Sequence, residues 1–214
     1  HNGRFMLGYF KTFPVFGVQK SKPEKTAWYT NTMIKPTSED GLKFYRDMGT
    51  LKNGDEKYYK DNFFMTEIMN HPNYDEFWQK RSLLPHLKNV NHAVMTVGGF
   101  FDAEDVYGAF ETYKAIEKQN PNATNILVAG PWFHGGWVRS KADTFGDMQF
   151  GTPTGEYYQQ QIELPFFNYY LKDKRNFKPT EAQIFITGSN EWKQFESWPP
   201  KNISTQKLYL QANG

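Results

Sequence analysis

The sequence predicts an α/β fold with a parallel sheet. Three observations carry that reading. Ala93-Val94-Met95-Thr96-Val97 and Asn125-Ile126-Leu127-Val128-Ala129 are short apolar runs, closed by Gly98-Gly99 and Gly130-Pro131, the pattern of strands buried on both faces. Between them, Glu104 to Lys118 sets Val106, Phe110, Tyr113 and Ile116 at helical spacing. The 32 residues from Asp102 to His134 are about what one strand–helix–strand crossover needs.

The elements before and after this unit follow in order. Residues 1–20 are apolar on nearly every side, from Phe5 to Val18, and predict a buried or partner-covered segment kinked at Pro14. Residues 21–36 are polar, carry Pro23 and Pro36, and read as loop. Ser38-Glu39-Asp40 opens a helix continued by Leu42, Tyr45 and Met48. Lys52-Asn53-Gly54-Asp55 predicts a turn. Phe63, Phe64, Ile68 and Met69 form a helical face that ends at His71-Pro72. Tyr74, Phe77, Trp78 and Leu83 suggest one more short helix. After the central unit, Tyr157 to Leu171 reads as a helix, and short strands begin with Ala182-Gln183-Ile184-Phe185-Ile186. Lys207-Leu208-Tyr209-Leu210-Gln211 alternates like a strand.

Composition narrows the function. There is no cysteine among the 214 residues, which removes disulfides, thiolate metal sites and a cysteine nucleophile. The net charge of +2 is too balanced to argue for nucleic acid or an anionic membrane as partner. No apolar run approaches the roughly 18 residues of a bilayer span. His71, His86 and His92 sit in loop and helix-end contexts and make no metal-ligand set, so neither metal nor organic cofactor is expected.

Chemistry is expected beyond the ends of the two strands, where open α/β sheets bind ligands. Asp102 follows the first strand and His134 the second. An aspartate followed by a histidine, each on a loop after a strand, has the order of the last two members of a hydrolase triad. Two plainer readings stand beside it. Asp102 could cap the helix that follows, and His134 could be a hydrogen-bonded residue of an aromatic loop. No nucleophile elbow accompanies the pair, because none of the seven serines has glycine two residues away on both sides.

Five segments in order then resemble one family. His71-Pro72-Asn73-Tyr74-Asp75-Glu76-Phe77-Trp78, Gly98-Gly99-Phe100-Phe101-Asp102, Gly130-Pro131-Trp132-Phe133-His134, Phe166-Phe167-Asn168-Tyr169-Tyr170-Leu171-Lys172, and Glu191-Trp192 with Ser197-Trp198-Pro199-Pro200 resemble the α-amino acid ester hydrolase, cocaine esterase and glutaryl-7-aminocephalosporanic acid acylase group. That group belongs with the X-prolyl dipeptidyl-peptidases. The resemblance implies an α/β fold made of a partial α/β-hydrolase, with a helical cap, the last strands and helices of the parallel sheet, and the first strands of a C-terminal β jelly roll. It places a helical cap over 1–90, the last part of the hydrolase domain over 91–178, and the start of the jelly roll over 179–214. It implies a triad of Asp102 and His134 with a serine outside the chain, which is expected to be a fragment inactive by itself.

The resemblance also implies a small-molecule acyl substrate, an ester or amide and β-lactam-type acyl groups included, with a periplasmic or secreted location. Asp75 and Tyr74 are its candidates for binding substrate, against the simpler reading of Asp75 as a helix-start acid. Trp132 and Phe133 are candidates to line an acyl pocket, against a place in the core. The partners expected are the missing N-terminal and C-terminal parts of the protein and further copies of the chain, as a homo-oligomer. X-prolyl dipeptidyl-peptidase activity, or a non-catalytic aromatic module gripping glycan or peptide, are the alternatives.

Overall fold

The computed structural model describes residue 22 and residues 36–60, 62–174 and 177–212. The aromatic segment 5–18 and most of the loop over 21–36 lie outside the described residues. The chain divides into two compact units, His1–Ser82 and Leu83–Gly214.

The described part of the first unit is a set of short helices, each opened by a capping side chain. Asp40 starts α1 (Gly41–Met48) by accepting bonds from the amides of Leu42 and Lys43 at 2.9 and 3.1 Å. Gly49, at φ +77°, closes it in a backbone region that favours glycine. Thr50 caps α2 (Leu51–Tyr58) and Asn62 caps α3 (Phe63–Asn70). The Lys52–Asp55 turn expected from Asn53-Gly54 is instead the start of α2. Thr50 supplies a helix start just before it, and Asn53 uses its side-chain amide to satisfy the Met48 carbonyl at 3.3 Å. Phe44, Met48, Tyr59 and Met65 form the buried core, with Leu51 and Phe64 packed against it. Asp75 caps α4 (Glu76–Gln79).

The second unit is organised by a four-stranded sheet. β1 (Val94–Gly99) pairs in parallel with β2 (Asn125–Gly130), with Val94 opposite Asn125 and Gly99 opposite Gly130. α5 (Val106–Gln119) is the crossover between them. β2 is buried throughout because both its faces are covered. Ile126 and Val128 join one core cluster with Trp132, Tyr158, Ile162 and Phe166. Leu127 and Ala129 point the other way and join Tyr113, Ala182 and Ile184.

The helix expected over 157–171 is a longer run. It begins as α6 (Thr154–Tyr157), widens to a π-helical turn over Tyr158–Glu163, and continues as α7 (Leu164–Lys172). Pro165 has no N–H to give to the turn before it, and the wider turn lies immediately upstream.

The sheet runs on past 178/179, where the resemblance sets the start of the jelly roll. β5 (Ala182–Ile186) pairs in parallel with β2, placing Leu127 opposite Ala182 and Ala129 opposite Ile184, and β6 (Glu191–Phe195) returns antiparallel beside it. The order β1-β2-β5-β6 therefore carries one sheet across that position. The segment over Lys207–Gln211 forms no strand. Leu208 and Leu210 are fully exposed, because no neighbouring strand among the described residues offers its backbone partners.

Candidate functional site

Two loops leave adjacent parallel strands and run side by side beyond their ends. The amide of Phe100 donates to the Gly130 carbonyl at 2.9 Å and that of Phe101 to the Trp132 carbonyl at 3.1 Å. This approach requires glycine. A Cβ on Gly99 would fall 2.2 Å from the Trp132 carbonyl oxygen, and one on Gly130 would fall 2.6 Å from the Trp132 indole. The glycines that end the strands thus also let the two loops close on each other.

The closure brings Asp102 and His134 together. His134 Nδ1 lies 3.1 Å from Asp102 Oδ2 and 3.3 Å from Oδ1. The Asp102 side chain is 1% exposed and the His134 ring 44%. A buried carboxylate therefore faces a ring with one side open to solvent. Asp102 Oδ1 also accepts bonds from the amides of Glu104 and Asp105 at 2.8 and 3.0 Å. Asp102 thus both organises the turn into α5 and contacts the imidazole.

Asp105 is a site neighbour that the sequence did not single out. Its Oδ2 is 3.3 Å from His134 Nδ1. The signal available was its spacing, three residues after Asp102, which a helix-start acid also explains. Donor atoms of Asp102, Asp105 and His134 lie within 4.8 Å of one another. Asp102 Oδ1 is committed to two amides and both its oxygens meet the ring, so the cluster is a hydrogen-bonded pair with a flanking carboxylate.

The other candidate residues fall in different places. Trp132 is fully buried, so it does not line an accessible acyl pocket. Its Nε1 donates to Thr154 Oγ1 at 2.9 Å, Thr154 donates to the Ala142 carbonyl, and the indole packs against Tyr158, Trp137 and Trp192. Core packing claimed the largest aromatic of the loop. Phe133 is 39% exposed directly before His134 and keeps an open face. Phe101, beside Asp102, stacks on Phe145 with centroids 4.5 Å apart. Phe145 belongs to a small hairpin of β3 (Thr144–Phe145) and β4 (Met148–Gln149).

Asp75 and Tyr74 belong to the first unit, and Asp75 is already engaged there. Asp75 Oδ2 is 2.7 Å from His71 Nδ1, and Oδ1 accepts from the Phe77 amide at 3.0 Å. The His71 ring stacks on Phe77 at 4.1 Å, the Arg81 guanidinium covers the same phenyl ring at 3.5 Å, and Trp78 Nε1 donates to the His71 carbonyl at 2.7 Å. The His-Pro-Asn-Tyr-Asp-Glu-Phe-Trp run therefore locks the α3–α4 junction, and Asp75 is not a free substrate-binding carboxylate. Tyr74 is exposed and lends its carbonyl to Gln79.

The bond from His71 holds the Asp75 carboxyl below its ordinary pKa. Such a group stabilises the fold above the usual aspartate range, and the contribution disappears as pH falls through the lowered value. Asp75→Ala is expected to lower the Tm of the protein at pH 7. The difference from wild type should narrow as the pH falls below the ordinary aspartate value of about 3.9. Thermal unfolding followed across pH measures both.

The family model for X-Pro dipeptidyl-peptidase (S15 family) matches residues 19–136, more than half of the chain, and the chain belongs to that family. Among individual relatives, cocaine esterase of Rhodococcus sp. (strain MB1 Bresler) is 26% identical over 152 residues, covering 69% of this chain and 25% of the esterase. An aminopeptidase from the marine sediment archaeon Thaumarchaeota archaeon superimposes with a TM-score of 0.77 at 30% identity, over 85% of this chain and 30% of that one. An α-amino acid ester hydrolase superimposes with a TM-score of 0.80 at 26% identity, over 93% and 32% of the two chains. The chain shares the α/β fold of that hydrolase and spans between a quarter and a third of the length of these relatives.

Proposed function

We propose that the protein is a serine hydrolase of esters or amides of small acyl groups, using a Ser-His-Asp triad. The observation that carries this reading is the buried Asp102 carboxylate on Nδ1 of a half-exposed His134, beyond the carboxyl ends of two adjacent parallel strands. In the proposed mechanism a serine from a part of the protein outside these 214 residues attacks the carbonyl carbon. His134 takes the hydroxyl proton at Nε2 as the tetrahedral intermediate forms. Asp102 keeps Nδ1 protonated and stabilises the imidazolium. His134 then returns the proton to the departing alkoxide or amine, and a water repeats the sequence to release the acid.

The names of two solved relatives, an aminopeptidase and an α-amino acid ester hydrolase, support an acyl group bearing a free amine. The exposed Asp105 carboxylate beside the pair supplies negative charge suited to an ammonium. Exposed Phe133 is the residue we assign to apolar contact with the acyl group. The outer edge of β1 is proposed as the seat of a neighbouring strand from the rest of the protein, or of a second copy of the chain.

A fluorophosphonate probe, which phosphonylates activated serines with loss of fluoride, tests the class. The whole enzyme should be labelled at one serine in a Gly-x-Ser-Tyr-x-Gly setting, and labelling should fall at least about a hundredfold in His134→Ala. The 214-residue chain should remain unlabelled. Undiminished labelling of His134→Ala would remove His134 from the mechanism.

A further inference from the structure

Asp105 occupies the N-cap of α5, where an aspartate usually accepts a bond from the first free amides of the helix. Its side chain makes no capping bond. The amides of Glu104 and Asp105 go instead to Asp102 Oδ1, and Asp105 Oδ2 approaches His134 Nδ1 at 3.3 Å. His134 Nδ1 thus lies near two carboxylates, hydrogen-bonded to Asp102 at 1% exposure and in ion-pair contact with Asp105 at 65%. The Arg139 guanidinium lies against Gly135, in the loop after His134.

We propose that Asp105 is a positioning residue for His134, a second acceptor that keeps the proton on Nδ1 and leaves Nε2 free to accept one. The distance from Nδ1 to Asp102, 3.1 Å, is long for a charge-assisted bond, which ordinarily closes to about 2.7–2.9 Å. In a half-exposed ring, water competes for that N–H and the tautomer is poorly held. A flanking carboxylate on the solvent side captures the same N–H when the buried bond stretches. The hydrogen bond at one ring nitrogen decides which nitrogen carries the proton. The missing cap is the structural sign that the Asp105 carboxylate is directed to the ring.

The inference builds on the reading of His134 as the base, yet its test reads the ring and not turnover. Histidine labelled with ¹⁵N in the full chain reports the ratio of Nδ1–H to Nε2–H forms at a pH where the ring is neutral, with His134→Gln used for assignment. The Nδ1–H form should predominate in wild type. Asp105→Asn should lower the ratio about two- to fivefold, the effect of losing an exposed charged partner. Asparagine is itself a strong N-cap, so α5 is retained. Asp105→Glu should restore part of the ratio, and about 1 M salt should reproduce part of the loss in wild type by screening the exposed carboxylate. Asp102→Asn should lower the ratio more than about tenfold. An unchanged ratio in Asp105→Asn, with a fall in Asp102→Asn, would leave Asp105 as a helix-start acid and overturn the inference alone. No change in either variant would overturn the Asp102–His134 reading itself, and the inference with it.

Discussion

Asp102→Asn in the whole enzyme is expected to lower kcat about 10³–10⁴-fold, with KM changed by less than about threefold. The physical reason lies in the ring proton. An asparagine can present its NH2 group to Nδ1, which drives the proton to Nε2 and blocks the position from which the serine must be deprotonated. It also removes the buried counter-charge of the imidazolium, Asp102 being 1% exposed, and leaves the solvent-screened Asp105 carboxylate beside the ring. His134→Ala should cost as much or more, and combining the two should add little, because residues that act as a unit lose their effect together. Steady-state kinetics on an ester substrate decides the matter. A loss below about tenfold in either variant would show that the pair does not carry proton transfer.

Trp132→Ala is expected to destabilise the second unit by about 3–5 kcal/mol, the range for removing a large buried aromatic. Trp132 is fully buried among Tyr158, Trp137 and Trp192, and its Nε1 bond satisfies Thr154 Oγ1. Its removal leaves a cavity and loosens one wall of the loop that presents His134. Trp132→Phe keeps a ring but loses the donor, and should cost less, since a single hydrogen bond contributes about 1 kcal/mol net. Urea unfolding of the chain measures both. A cost under about 1 kcal/mol for Trp132→Ala would mean that the indole is not the packing centre of this core. The prediction also separates the two roles available to the residue: a pocket-lining tryptophan would change KM with little effect on stability.

The parts of this protein legible in sequence are those governed by short-range patterns. Buried parallel strands need continuous apolar runs, so β1 and β2 announce themselves, and the glycines that close them mark where the chain turns. α5 is legible because its apolar residues recur at helical spacing. Once two adjacent strands and their crossover are set, Asp102 and His134 must emerge at the same end of the sheet, and their approach follows from connectivity.

Tertiary structure decided the rest, and in each case through a competition that pattern alone does not resolve. Asn53-Gly54 carries a turn signal, but a cap at Thr50 places it inside α2. Ala182–Ile186 reads as a strand of any sheet, and only pairing with β2 assigns it to this one. An aromatic next to a candidate histidine suits a pocket or a core equally, and the partners of Trp132, not its type, choose the core. Asp75 and Asp105 are both acids at a helix start in the sequence. Asp75 is taken by local partners, His71 and a capping amide, whereas Asp105 reaches His134 only because the fold brings the loop after the next strand beside it.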